Sequence, residues 1–329
     1  MIQTELSPAR PRAEETPFCI GLQDALALID ARFGIERILQ DTGRDIVKPY
    51  YLQSRAGFDR LNSHQGCMHI ALNPDGHFDP DGYFTQIREI SAQIEATKAK
   101  TVLELGSGVG FNVLAIGRKH RDIEITGVDL LPQQVKTARK RAGAAANLRF
   151  VQASYEDLPH DLHGADLVFA IETLCHATDP DTVARQIAAT LVPGGRFVMY
   201  DGFRRPDFDA AAEDVIIAAR LFEVTMAVTN GFWRLSDWQD ALERAGLRVL
   251  HMQDLTRDSI PGMRRFQRRA VKFLTTPKYR ILRYLMPRYM ARNSVAALTG
   301  SFATEGAAPD RNREGACVSY NLLIAEKPV

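Results

Sequence analysis

Val102-Leu103-Glu104-Leu105-Gly106-Ser107-Gly108-Val109-Gly110-Phe111-Asn112 decides the fold of this chain. A run with buried-strand character enters a turn that carries glycine at every second position, and helical patterning begins near Asn112. Glycine at 106, 108 and 110 lets the backbone turn sharply and lets a ligand lie against main-chain atoms with no Cβ in the way. A second strand ends in Asp129, a little over twenty residues beyond Gly106. A carboxylate at the carboxyl end of the second strand of such a unit is placed to accept both hydroxyls of a ribose. The other reading of Asp129 is a helix N-cap before Leu131-Pro132. The spacing also excludes two nucleotide classes. A G-x-G-x-x-G dinucleotide loop wants glycine at 111, where Phe111 stands, and no G-K-[ST] follows to make a P-loop.

Outward from the loop, short apolar runs alternate with longer polar segments. Strands are expected at Thr101–Leu105, Ile123–Val128, Leu148–Gln152, Ala165–Ile171 and Arg196–Tyr200, with a crossover helix over Asp181–Leu191. Strands alternating with helices imply a parallel sheet covered on both faces. Upstream, Phe84, Ile87, Ile90 and Ile94 recur at helical spacing and give one apolar face that leads into this core. Downstream lie an apolar stretch over Ala210–Val228, a helix over Ser236–Ala245 with Ser236 as N-cap and Gly246 just past its end, and strands at Arg248–Gln253 and Cys317–Glu326.

The bulk numbers fit a folded α/β chain. Of 329 residues, 45% are hydrophobic and 25% charged, so disorder is not expected. Net charge is +1, which removes any chain-wide argument for nucleic acid. Cys19, Cys67, Cys175 and Cys317 are scattered with no C-x-x-C pair, and the histidines are dispersed; free thiols and no metal are expected. No stretch approaches the roughly 18 apolar residues of a membrane span. The opening residues lack an apolar signal core, so a cytoplasmic protein is expected, with peripheral membrane contact left open.

The loop resembles the first motif of class I S-adenosylmethionine-dependent methyltransferases. That resemblance places Glu104 near the amino-acid end of the cofactor, with Gly106, Ser107, Gly108 and Gly110 lining it. ITGVDL (125–130) resembles the second motif, with Asp129 on the ribose and Leu130 beside it. ASYEDLP (153–159) resembles the segment that flanks the adenine. Ser154 stands where the family often carries Asp, which leaves the backbone at Tyr155 as a substitute. ADLVFAIETLCHATDP (165–180) and LVPGGRFVMYD (191–201) resemble the fourth motif and the strand after it.

Two further stretches are similar to the sterol C-methyltransferases and, in part, to tocopherol, quinone and terpenoid methyltransferases. Ile171-Glu172-Thr173-Leu174-Cys175-His176-Ala177 matches an element whose Glu and His flank the reaction chamber. Tyr50-Tyr51 and Gly66-Cys67-Met68-His69-Ile70-Ala71 match a tyrosine pair and Gly–His segment that close over the cofactor. The resemblance implies Glu172, His176, Tyr50 and Tyr51 as catalytic residues. Each also has a plainer reading: His176 as a cap or core hydrogen-bonder, the tyrosines as packing aromatics. Glu172 resists it, because an unpaired buried carboxylate is costly.

From Ser259 to Thr304 there are ten Lys or Arg residues and no Asp or Glu. Basic residues interleaved with aromatic and aliphatic ones suit an amphipathic helix on an anionic membrane across 264–292. A pocket for an anionic substrate, a nucleic-acid contact and a solvated face are the alternatives.

The expected organisation is a tail (1–17), an N-terminal helical lid (18–99), a Rossmann-like core (100–202) and the remainder (203–329). That remainder returns to the sheet at 236–254 and 317–326 and inserts capping segments at 203–233 and 255–315. The expected function is methylation of a hydrophobic isoprenoid, sterol-like or other lipid acceptor at carbon, with aromatic faces (Tyr50, Tyr51, Phe203, Trp233) around a developing cation. N- or O-methylation of a small metabolite, and non-catalytic cofactor binding at a membrane, are the rival readings. No nucleic-acid partner is expected, and the oligomeric state is open.

Overall fold

The computed structural model describes residues 18–57, 66–308 and 315–329; the tail expected at 1–17 lies outside them. Seven strands form one sheet: β1 (Thr101–Leu105), β2 (Glu124–Asp129), β3 (Leu148–Gln152), β4 (Ala165–Ile171), β5 (Leu191–Arg204), β6 (Arg248–Asp254) and β7 (Val318–Glu326). Their spatial order is β3-β2-β1-β4-β5-β7-β6, parallel from β3 to β5, with β7 antiparallel to both of its neighbours. This is the Rossmann-like α/β sheet that the sequence pattern predicts. The fifth strand runs longer than expected, because β7 pairs with it from Arg196↔Glu326 to Arg204↔Val318.

The helices are α1 (Leu22–Phe33), α2 (Ile35–Leu39), α3 (Val47–Gly57), α4 (Thr85–Thr97), α5 (Phe111–Lys119), α6 (Pro132–Ala142), α7 (Pro180–Thr190) and α8 (Glu213–Thr225). They continue as α9 (Leu235–Arg244), α10 (Thr256–Thr275), α11 (Arg280–Leu285) and α12 (Arg288–Glu305). Alternation along the strands divides the sheet's faces. Val102, Ile125, Phe150, Leu167 and Phe169 pack on one side with Ile87, Ile90 and Ile94 of α4 and with α5 and α6. Leu103, Leu105, Val168, Ala170, Phe197 and Met199 pack on the other against α7 and α9, around the fully buried Trp238. The apolar face of α4 thus belongs to the sheet layer, although it falls within the segment expected to form a lid.

Local chemistry sets the helix ends. Asp179 accepts hydrogen bonds from the backbone of Asp181 (3.2 Å) and Thr182 (3.0 Å), and Pro180 fills the first helical position of α7. The N-cap expected at Ser236 is displaced: α9 starts at Leu235, because the Asp237 carboxylate accepts the Arg234 N–H at 2.8 Å. Gly246, at φ +84°, ends the helix as expected.

A second apolar core lies above the sheet. Leu26 and Ile29 of α1 meet Ala218, Leu221 and Phe222 of α8, Leu274 of α10, and Val295, Leu298 and Phe302 of α12. This helical cap is fastened by buried ion pairs. Arg264 holds Glu305 through two nitrogens, both side chains being about 3% exposed, and Arg292 Nη1 meets Asp41 at 2.7 Å. The stretch 264–292 is therefore not one surface helix: α10, α11 and α12 divide it, and Arg264 and Arg292 face inward.

Candidate active site

The carboxyl ends of β1, β2, β4 and β5 open into a cavity of about 450 Å³, closed above by α3, α8, α10 and α12. Glu104, Gly106, Ser107, Asp129, Leu130, Ser154, Tyr155, Glu172, His176, Tyr50 and Tyr51 all line it. One cavity therefore gathers residues spread over more than a hundred positions of sequence.

The three loop glycines sit at φ +65°, +53° and +82°, the left-handed region that favours glycine. Their role is packing more than ligand approach. A Cβ on Gly106 would stand 1.9 Å from Thr173 Oγ1 at the end of β4, and one on Gly110 would stand 2.8 Å from the Phe150 ring. Gly108 donates its N–H to Asp129 Oδ2 (2.8 Å), while Asp129 Oδ1 accepts from Leu131 N (2.8 Å). Asp129 thus fixes the loop and the following turn together. It is not the N-cap, a position that Leu131 holds.

Glu104 is fully buried at the end of β1. Asn112 Nδ2 donates to its Oε1 at 2.7 Å, while Oε2 meets no hydrogen-bond partner among the described residues. Burial pushes its carboxyl up to about 8. The Asn112 amide oxygen lies 3.2 Å from His69 Nε2, and the other ring nitrogen, Nδ1, lies 3.1 Å from Ile70 O. The segment 66–71 lies over the glycine loop, with Met68 Cε where a side chain on Gly108 would go.

Glu172 carries the most unusual geometry. It is a non-glycine residue at φ +49°, a conformation that costs about 1–2 kcal/mol. Its N–H donates to Tyr200 O (2.8 Å), and its Oε1 accepts from Ile70 N (2.7 Å). The Gly–His segment thus reaches across to the end of β4. Burial raises Glu172 to about 8, opposed by the Ile70 N–H, with nearby Asp201 raising it further. Asp201, at the end of β5, is itself pushed up to about 6 by burial, although it accepts from Gly202 N (2.8 Å) and Cys175 N (3.0 Å). Strain retained at a cavity wall is a pointer to function.

His176 Nε2 and the Tyr51 hydroxyl are 2.9 Å apart, and burial lowers the imidazole to about 4. Tyr50 packs edge-on against Tyr51, with centroids 5.0 Å apart, and burial drives both phenols above their ordinary values. Ser154 Oγ is engaged by the Glu156 N–H (3.1 Å), and the Tyr155 hydroxyl donates to Thr173 O (3.2 Å). Two expected aromatic walls lie elsewhere. Phe203 is buried in the layer under the sheet, and Trp233 packs against that layer with Nε1 donating to Ala177 O. Phe222 and Phe232 take their place in the cavity, with Met226 and Met263. Sequence reasoning also missed Asp201 and Tyr320. For Asp201 the signal was present, a carboxylate ending an apolar strand as Glu172 does; for Tyr320 there was none.

Residues 103–199 match a family model described as a methyltransferase domain. This stretch of the chain is a methyltransferase domain. The chain is 28% identical over 190 residues to an O-methyltransferase of Penicillium expansum, covering 56% of this chain and 65% of that one. It is 27% identical over 264 residues to the sterol 24-C-methyltransferase of Neurospora crassa, covering 76% of this chain and 66% of that one. The chain thus spans just under two thirds of the length of either relative. Its fold superimposes on geranyl diphosphate C-methyltransferase from Streptomyces coelicolor A3(2) with a TM-score of 0.56 at 17% identity, covering 88% of this chain and 98% of that one.

S-adenosylmethionine is the cofactor of this family, and the site fits it. Glu104 Oε2, Ser107 Oγ and Gln134 Oε1 are buried cavity-lining atoms without hydrogen-bond partners among the described residues. They suit the cationic amine and the hydroxyls of such a molecule. Each Asp129 oxygen accepts one N–H and retains a lone pair for a ribose hydroxyl.

Proposed function

We propose that this chain transfers a methyl group to carbon in a neutral, hydrophobic acceptor of isoprenoid or sterol-like type. The carrying observation is Glu172: a strained, buried carboxyl at the junction of the cofactor loops and an apolar wall, with Asp201 beside it. The bound cofactor supplies an electrophilic methyl on a sulfonium. The chain's own residues align the acceptor, exclude water and take up a proton. When an alkene carbon gains the methyl, positive charge develops on its neighbour. Glu172 and Asp201 stabilise that charge, the faces of Tyr51, Phe222 and Phe232 surround it, and loss of a proton to a Glu172 oxygen restores the alkene.

Acidity favours this reading over N- or O-methylation with His176 as base. A carboxylate whose acid sits near 8 is a far stronger base than an imidazole held near 4. His176 with Tyr51 is better suited to shaping the wall. Electrostatics favour an uncharged acceptor over an anionic one. Among the described residues lining the cavity, Lys48 is the sole Lys or Arg, against Asp45, Glu104, Asp129, Glu156, Glu172 and Asp201. The sterol name of the Neurospora relative agrees with this class.

The test is label transfer from methyl-labelled S-adenosylmethionine to a panel of sterols, isoprenoid alkenes, phenols and amines. We expect labelled alkene products, and a fall in turnover of about 10²–10⁴-fold in Glu172→Gln with cofactor affinity retained. Label on phenol or amine alone, or full activity in Glu172→Gln, would overturn the assignment. Cofactor binding with no transfer to any acceptor would point to a non-catalytic binding protein.

A further inference from the structure

We propose that helix α11 and its flanks form a docking surface for an anionic lipid bilayer, with Ile281, Leu282, Tyr284 and Leu285 entering the interface and Lys272, Lys278 and Arg280 meeting the headgroups. Nine large apolar side chains are exposed among the described residues, and these four fall within one stretch of five. Ile281 is 73% exposed, Tyr284 87% and Leu285 71%, so they stand clear of the fold. Scattered exposed leucines need no explanation, but a contiguous cluster on one short helix does.

The orientation is built in. Arg283 turns the other way and donates through Nη1 to Phe273 O and to Thr276 O (3.3 Å), the carbonyl end of α10. A guanidinium at a helix C-terminus is held by the unpaired carbonyls and the dipole there. The Phe273 and Tyr279 rings, 5.8 Å apart, brace the same corner. With Arg283 pinned inward, residues 281, 282, 284 and 285 are left on the outer side.

Charge identifies the partner. From 259 to 304 the chain has no carboxylate, and Lys272, Lys278 and Arg280 are exposed around the apolar cluster. Arg32 and Arg280 lie close enough to Arg283 for their like charge, after desolvation, to lower its pKa. A second copy docking through the same patch would set these cations against themselves, since a two-fold interface brings identical surfaces together. A bilayer carrying negative headgroups over hydrocarbon satisfies both halves of the surface. The location suits delivery of a lipid as well, because α11 joins α10 and α12, which contribute Met263 and Thr304 to the cavity wall. The proposal stands apart from the acceptor chemistry, because vesicle binding needs neither cofactor nor turnover.

The full chain is to be sedimented with vesicles of phosphatidylcholine alone and of phosphatidylcholine with phosphatidylglycerol in equal parts. We expect binding to the mixed vesicles, little to the neutral ones, and a steep loss with added salt as headgroup attraction is screened. Lys272→Gln, Lys278→Gln and Arg280→Gln together should weaken partitioning about a hundredfold, roughly fivefold for each charge. Tyr284→Ser with Leu285→Ser should abolish it while S-adenosylmethionine affinity is retained, which shows that the site below is intact. A chain that stays in the supernatant with mixed vesicles, or variants that bind as well as the parent, would overturn the proposal. So would a stable oligomer in sedimentation velocity that the Tyr284→Ser, Leu285→Ser variant dissolves, since the patch would then be a protein contact.

Discussion

Buried carboxylates occur in both halves of this molecule, and they are satisfied in opposite ways. In the helical cap, Glu305 is closed on Arg264, Asp41 on Arg292 and Arg288, and Glu223 on Arg204. At the ends of the strands, Glu104, Asp129, Glu172 and Asp201 take hydrogen bonds from neutral donors: backbone N–H groups, an amide, the Tyr320 hydroxyl on Glu172 and the Cys175 thiol on Asp201; among the described residues none of the four is ion-paired to Lys or Arg. A carboxylate held by an arginine has its charge answered and serves to fasten helices. One held by neutral donors keeps a lone pair or a proton to exchange, and burial lifts its acidity toward neutral pH. The contrast separates fastening acids from working acids without reference to any relative.

The largest effect should come from breaking a fastening pair. Glu305→Ala leaves Arg264 charged and buried, which should cost about 3–5 kcal/mol in chemical denaturation. Arg264→Met with Glu305→Leu should recover most of that loss, since the pair is replaced by apolar packing. A loss below about 1 kcal/mol in the single variant would make the pair no stronger than a surface contact.

A smaller effect is expected at a working acid. Asp129→Ala should weaken cofactor binding by about 1–3 kcal/mol in calorimetry, through unpaired ribose hydroxyls and a loosened loop. Global stability should change less than in Glu305→Ala. Asp129→Asn, which keeps one acceptor oxygen, should fall between parent and Ala. Unchanged affinity in Asp129→Ala would reduce that carboxylate to a turn-forming group.

The smallest effect separates the two kinds of acid by pH. Glu104, held near 8 with no Lys or Arg paired to it among the described residues, is mostly protonated at pH 7. Bringing the cofactor's amine to Oε2 favours the carboxylate, so binding should release a proton below pH 8. Affinity should tighten about fivefold between pH 7 and 8 and flatten above that, as measured by calorimetry in buffers of different ionisation enthalpy. Stability of the unliganded fold should move the other way. The raised carboxyls of Glu104 and Glu172 contribute stability that is present below about 4.5 and lost as pH rises through about 8. His176, lowered to about 4, acts at the acid end, where stability falls as pH drops from about 6.5. Melting curves across this range should show both limbs, and an affinity that does not vary with pH would remove Glu104 from the cofactor site.

The sequence by itself determined the sheet, the glycine loop and the residues at its strand ends. Apolar runs of strand length have few places to go except a buried parallel sheet, and a positive-φ turn after the first strand admits little but glycine. Glu104 was legible through the resemblance of its loop to a methyltransferase motif, Asp129 through its place at the end of the second strand, and Glu172 because an unpaired buried carboxylate is costly. Tertiary structure alone decided which aromatics face the cavity, that Asp201 and Tyr320 join it, and that the Gly–His segment closes onto Glu172 through the Ile70 N–H. It also decided that the glycines clear Thr173 and Phe150, and that the basic stretch splits into buried fasteners and an exposed patch. The physical reason is range. Strand and loop signals lie within one turn or one pleat of the chain. The orientation of Arg264, Phe203 or Tyr320 depends on partners as far as Glu305, Trp238 and Gln86, which no local pattern encodes.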